Sequence, residues 1–384
     1  VAEILTPADE AEFAEVVAEA AAAKTPLEVR GGGTRTWLGR PVQAERTLST
    51  AGLAGISLYE PGALTLVVKA GTPVAEVEAA LAAEGQMLPF EPMDHRALLG
   101  TEGEPTIGGV VACGVFGPRR IQAGACRDSM LGVRFVNGKG EAIKSGGRVM
   151  KNVTGYDLPK LICGSYGTLG VISEISFKVL PKPETEATLV RTGLDPAAGV
   201  AALSAALTSP YGVTGAAHEQ DRTMLRLEGL EGSVAYRTEK LRGLLGAGWE
   251  ITAAADSAAL WREVRDVAPF AGREGAVWRV SVKPGDGPVL SAELHEAGLG
   301  HEALYDWGGG LVWLLTPETS TCGVARIRRQ TAALGGHAML VRASAAARAA
   351  IDVFEPEPKP LARISAGLRA KFDPAGVLNP GRMG

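Results

Sequence analysis

Apolar residues recur at helical spacing near the start of the chain. Phe13, Val16, Val17 and Ala20 share one face, and Thr6-Pro7 ahead of them predicts a helix capped by Thr6 with Pro7 in its first turn. Leu27-Glu28-Val29-Arg30 reads as a short strand that runs directly into Gly31-Gly32-Gly33-Thr34. Between residues 63 and 70 the pattern becomes alternating, with Leu64, Leu66 and Val68 on one side, and a strand is expected. Thr72-Pro73 then opens a second helix with Val74, Val77 and Leu81 on one face, closed by Gly85. Residues 133–136 and 142–144 predict a hairpin turned at Asn137-Gly138-Lys139-Gly140, and 171–180 a further strand.

A stiff connector follows at Pro181-Lys182-Pro183, because proline holds its predecessor in extended backbone. Beyond it, helices are expected near 196–208, 233–245, 257–266, 289–298 and 320–334. Strands are expected near 223–228, 276–282, 302–307, 311–316 and 338–342. That alternation predicts an α+β domain with an antiparallel sheet backed by helices. A second proline-rich stretch, 354–360, precedes a last helix at 361–371 and an irregular tail expected to rejoin the first domain. No internal repeat of fixed period is present.

Composition narrows the classes. The chain has 384 residues, 50 of them Gly and 23 Pro, and 46% are hydrophobic, so low-complexity disorder and fibrous repeats are excluded and two or three domains are expected. The net charge of -4 gives no reason to expect nucleic acid as a partner. Four cysteines, at 113, 126, 163 and 322, form no CxxC pair, which argues against an iron-sulfur or structural zinc centre and for free thiols inside the cell. The first 24 residues carry acids where a secretory signal carries bases, so export is not expected.

The glycines are the main chemical signal. Gly31-Gly32-Gly33 offers consecutive amides free of side chains, as main-chain binding of a diphosphate requires, although a plain turn reads the same way. It is neither a Walker loop nor a Rossmann fingerprint. Between Gly100 and Gly170 there are 16 glycines, a grouping expected where a long dinucleotide lies along main chain.

Five strings carry a family resemblance: Arg30-Gly-Gly-Gly-Thr34, Pro105-Thr-Ile-Gly-Gly109, Lys151-Asn-Val-Thr-Gly-Tyr-Asp157, Gly164-Ser-Tyr-Gly-Thr-Leu-Gly-Val-Ile172 and Phe372-Asp-Pro-Ala-Gly-Val-Leu-Asn-Pro-Gly-Arg382. In this order they resemble FAD-binding proteins of the vanillyl-alcohol oxidase / p-cresol methylhydroxylase (PCMH) type, and within that type the E-subunit family of bacterial glycolate oxidase, or glycolate dehydrogenase. The resemblance implies an α+β protein. An FAD-binding domain of two α+β subdomains is expected over 1–183, divided near 90. An α+β cap domain with an antiparallel sheet is expected over 184–353, and a segment returning to the FAD domain over 354–384.

By the same resemblance, Gly31, Gly32, Gly33 and Thr34 would hold the FAD diphosphate, bracketed by Arg30 and Gly39. Pro89, Thr106, Gly108, Gly109, Cys113, Gly114 and Gly117 would line the flavin and ribityl chain. Gly124, Arg127 and Asp128 would follow along the cofactor, Gly170, Val171 and Ile172 would meet its adenosine end, and Asn379 would reach toward the isoalloxazine. Thr34 stands where covalent relatives place a His, so noncovalent FAD is expected. The implied partners are a larger FAD-containing catalytic subunit and an iron-sulfur subunit, and the implied reaction is oxidation of a small 2-hydroxy acid, glycolate to glyoxylate. A cytoplasmic location, at the inner membrane only through partner subunits, goes with that reading.

Catalytic residues stay unassigned. Hydroxy-acid oxidising relatives carry a His-rich motif in the cap, and the five His here, at 95, 218, 295, 301 and 337, do not form it, so no metal is expected. His95 is the one His positioned near the flavin motifs, and a structural role for it weighs more. Residues 118–160 hold nine basic and three acidic side chains; a solvated face, attraction of the diphosphate and docking of an acidic partner all remain open. Trp249, Trp261, Trp278, Trp307 and Trp313 read as core before interface. The leading reading is an FAD subunit that relays electrons or supports a catalytic partner; a stand-alone 2-hydroxy-acid dehydrogenase and a flavin-free scaffold are the alternatives.

Overall fold

A computed structural model describes residues 3–149 and 155–384. Of the Lys151–Asp157 string, residues 151–154 lie outside the described residues. The described residues form two compact units. One draws on Val1–Phe116, Gly124–Lys182 and Pro356–Gly384, the other on Gly117–Ala123 and Pro183–Glu355.

The first helix of the first unit, Glu10–Ala23, is capped by Asp9 and not Thr6. Asp9 sits in extended backbone and its carboxylate accepts from the amides of Ala11 and Glu12, which a hydroxyl three residues upstream cannot reach. Phe13, Val17 and Ala20 are its buried face. They pack with Leu27, Leu48, Val136, Val171 and Leu378 into one core. A small parallel sheet places Arg46–Ser49 between Glu3–Leu5 and Leu27–Arg30. The tail joins this layer, since Leu378 bridges Leu27 and the Leu27 amide donates to the Val377 carbonyl.

A five-stranded antiparallel sheet follows, in the order Ile56–Glu60, Thr65–Lys69, Val171–Lys178, Met130–Val136, Ala142–Gly146. Its hairpin turns where the sequence predicts, because the Asn137 carboxamide accepts from the amides of Lys139 and Glu141. Glu10 ties the first helix to this sheet through Arg134 and the Ser173 hydroxyl.

In the second unit eight antiparallel strands form one sheet, ordered Glu250–Ala253, Thr185–Arg191, Arg222–Gly229, Gly215–Glu219, Glu302–Asp306, Leu311–Thr316, Ala276–Ser281, His337–Arg342. Helices Pro196–Leu207 and Glu231–Leu245 pack against it around Leu189, Leu203, Leu225 and Leu241. A second cluster gathers Trp278, Leu290, Leu314, Ile327 and Leu340. All five tryptophans noted in the sequence are buried. Segment Gly117–Ala123 is part of this unit: Arg119 pairs with Glu228 at 2.6 Å, and Arg120 stacks 4.5 Å from the Trp307 ring. Two of the nine bases in the basic region are thus spent inside this unit, and Arg134 is spent on Glu10. No helix among the described residues is long and apolar enough to cross a membrane.

Candidate functional site

Strand Leu27–Arg30 delivers the chain into Gly31-Gly32-Gly33-Thr34 at the mouth of a groove with about 680 Å³ of space open to solvent. The amides of Gly31, Gly32, Gly33 and Thr34 donate to nothing among the described residues. Four consecutive amides without a protein partner in a folded chain make a cradle suited to an anion. The glycines are needed for packing as well as for binding. A Cβ on Gly32 would land on the Glu104 carbonyl, one on Gly31 would land on Thr106 Oγ1, and Gly33 has φ +80°.

Opposite this loop, Ile107–Cys113 is a helix capped by Thr106 and ended by Gly114 at φ 60°. The glycine-rich sequence assigns this stretch no element; it folds as helix because Thr106 Oγ1 accepts the Gly109 amide and Gly108 lies against Ala70, too close for any side chain. Its first amides are also committed, Ile107 to the Thr72 carbonyl and Gly108 to that of Ala70. The free donors therefore come from the 31–34 loop and not from this helix.

Three guanidinium groups line the groove: Arg30, Arg35 and Arg382. Arg35 is 8% exposed and donates to the Met93 carbonyl at 3.0 Å. Arg382, 5% exposed, donates to the carbonyls of Thr36 and Leu38 and to Glu28. Arg30 also pairs with Glu28, at 2.9 Å. The Nε of each of the three is buried with no partner among the described residues. Burial pushes the pKa of Arg35 and Arg382 below the ordinary arginine value, as a cation without a full set of partners experiences. An anion in the groove would relieve that cost.

Asn379 holds the groove from the tail. Its carboxamide accepts from the Val29 amide at 2.9 Å and donates to the Tyr166 carbonyl at 2.8 Å, clamping the strand that feeds the glycine loop to the 166–167 turn. Its side chain is therefore engaged with main chain on two sides, and its place is as a clamp.

The groove brings together Arg30, Gly31, Gly32, Gly33, Thr34, Thr106, Gly108, Gly109, Cys113, Gly170, Ile172 and Asn379 from the sequence-derived set. The other members lie elsewhere. Gly39 takes a positive φ of 82° after the loop, Pro89 is buried, and Gly114 ends the helix. Val171 faces the first core. Gly124 turns beside Asp128, whose carboxylate accepts the Ala125 amide, and Arg127 points to solvent. Gly117 belongs to the second unit, where its carbonyl accepts from Trp307 Nε1. His95 is buried with Nδ1 3.3 Å from the Met93 carbonyl and is not part of the lining. Arg35, Tyr166, Gly167 and Arg382 are lining residues that sequence reasoning missed.

Three of the four scattered cysteines converge, Cys322 lying in the second unit. Cys126 and Cys163 lie within hydrogen-bond reach of one another, with Cys113 close to Cys163. Burial and the contact with Cys163 push the Cys126 thiol well above its ordinary pKa, and burial raises Cys113 despite Arg35 and Arg382 nearby. All four cysteines are free.

An amide cradle ringed by guanidinium groups, in an α+β unit with a small parallel and a larger antiparallel sheet, defines a PCMH-type FAD-binding protein. Residues 1–146 match the family model described as FAD binding domain. The chain is 39% identical over 370 residues to glycolate oxidase subunit GlcE of Escherichia coli (strain K12), covering 96% of this chain and 95% of that one. It therefore belongs to the GlcE family of FAD-binding oxidoreductase subunits. It is also 30% identical over 188 residues to glycolate oxidase subunit GlcD of Bacillus subtilis (strain 168), across 49% of this chain and 38% of the relative. Among solved structures, an alkyldihydroxyacetonephosphate synthase shares the fold with TM-score 0.67 at 15% identity, covering 98% of this chain and 76% of that one.

The residues present fit FAD. The donor set is what a diphosphate requires: four amides without partners, three guanidinium groups with a buried Nε to spare, and no carboxylate in the lining.

Proposed function

We propose that this chain is the FAD-binding subunit of a glycolate oxidase complex, holding its flavin noncovalently and relaying electrons for, or supporting, a separate catalytic FAD subunit. The observation that carries the proposal is the Gly31–Thr34 amide cradle faced by Arg30, Arg35 and Arg382, in a chain that matches GlcE over nearly its whole length. The amides and guanidinium groups hold the diphosphate and Asn379 fixes the loop, while Gly167 and Gly170 lie too close to Asn379 and Phe135 for any side chain. When bound, FAD supplies hydride acceptance from an alcohol carbon and onward electron transfer.

The lining argues for a supporting role. Among the described residues, apart from its arginines, the groove lining offers only Cys113 and Tyr166 as titratable groups, and burial keeps Cys113 protonated at neutral pH. A thiol held in its protonated form is not suited to take the hydroxyl proton of a 2-hydroxy acid. A partner supplying that base, and an iron-sulfur partner receiving electrons, complete the proposal.

The test is glycolate-dependent dye reduction by the purified chain, alone and with the larger FAD subunit and the iron-sulfur subunit. Reduction is expected only with the partners. Full turnover by the isolated chain would replace this reading with that of a stand-alone dehydrogenase.

A further inference from the structure

Lys359–Phe372 forms a 14-residue helix in which no residue is buried. Isolated helices of that length are marginal in water, and in folded proteins they are held by burying one apolar face. Here Leu361 and Ile364 stand 53% and 60% exposed, and Leu368 in the next turn is half-buried. Spaced i, i+3 and i+7, the three share one face. A lone exposed leucine needs no explanation, but an aligned set on a helix with no fully buried residue does.

Charge adds a second observation. The helix carries Lys359, Arg363, Arg369 and Lys371 and no acid, in a chain of net charge -4. Arg369 and Lys371 suit the last turn, where cations complement the helix dipole; Lys359 at the other end opposes it, so the helix itself gives no reason for that charge. The C-terminal end of the helix is fixed in place. The Phe372 ring lies 6.0 Å from that of Phe135, the Gly138 amide donates to the Phe372 carbonyl, and Asp373 accepts from the amides of Val377 and Leu378.

We infer that this helix docks into a partner subunit of the oxidase, in an apolar groove rimmed by carboxylates, with Leu361, Ile364 and Leu368 as anchors. The inference rests on the reading of the chain as a subunit of such a complex. A ridge three aliphatic side chains long fits a protein groove better than a bilayer, where affinity grows with the apolar area inserted.

The test uses the full chain co-expressed with the larger FAD subunit and the iron-sulfur subunit, comparing wild type with the double variant Leu361→Glu/Ile364→Glu. Both side chains are exposed, so the isolated variant is expected to keep wild-type FAD content and melting temperature while its recovery in the complex falls at least about tenfold. Arg363→Glu is expected to weaken assembly and to flatten its salt dependence. Wild-type assembly of the double variant would overturn the inference. So would sedimentation of the isolated chain with phosphatidylglycerol vesicles, lost in the double variant while assembly is retained, because the helix would then belong to a lipid surface. A wild-type chain that assembles with neither subunit would overturn the subunit reading, and this inference with it.

Discussion

At the scale of single residues, glycine and charge do different work from what their spacing suggests. Gly32 is legible in the sequence as part of a diphosphate loop, yet its missing side chain is required first by the Glu104 carbonyl that lies against it. Gly32→Ala is therefore expected to destabilise the chain by about 1–3 kcal/mol even without FAD, by overpacking. Thermal unfolding of the cofactor-free protein checks this, and an unchanged midpoint would mean the residue serves binding alone. Arg35 and Arg382 were not assigned to the site from sequence for a physical reason: neither belongs to a periodic pattern, and Arg382, though part of the last motif string, reaches the groove from the opposite end of the chain. Glu10 gives a pH-dependent case. Burial pushes its carboxyl up, but bonds from Arg134 and Ser173 prevail and hold it below the ordinary carboxylate value. A depressed pKa means its contribution is present at neutral pH and is lost as pH falls through the lowered value. Glu10→Gln is expected to cost about 0.5–1 kcal/mol at neutral pH, given the partial exposure of the pair. That difference from wild type should vanish in acid, as paired melts across pH will show.

At the scale of elements, most of the second unit could be read from alternation and helical spacing. Strands such as Leu311–Thr316 and helices such as Pro196–Leu207, with Asp195 as cap, announce themselves through apolar runs, proline and capping side chains. Strand Gly215–Glu219 escaped because Gly-Ala-Ala-His-Glu has no β-branched residue; it is made a strand by its neighbours on both sides. Helix Ile107–Cys113 escaped because Gly108 and Gly109 lower its helical propensity, a cost recovered by the Thr106 cap and close packing on Ala70. The helix Lys359–Phe372 shows the converse. Gly367 sits in its middle and a Cβ there would meet nothing within 4 Å. Gly367→Ala is accordingly expected to stabilise the isolated chain by about 0.5–1 kcal/mol, read as a raised unfolding midpoint.

For the whole molecule, the candidate FAD groove is assembled from four distant parts of the chain: the loop at 31–36, the 106–113 and 166–172 stretches, and the tail at 379–382. Motif order made the first three legible, and the tail was expected to return; its role as a clamp on Val29 and Tyr166 is visible only in the folded chain. We propose that this cradle, through its unpartnered amides and arginines, holds FAD. Titration of the cofactor-free chain with FAD, followed by flavin fluorescence for wild type and Arg35→Gln, tests it most directly. Saturable binding that weakens about ten- to a hundredfold in Arg35→Gln, with flavin released intact on denaturation, is the result expected. A chain that takes up no FAD, or an Arg35→Gln variant that binds it as tightly as wild type, would contradict the account.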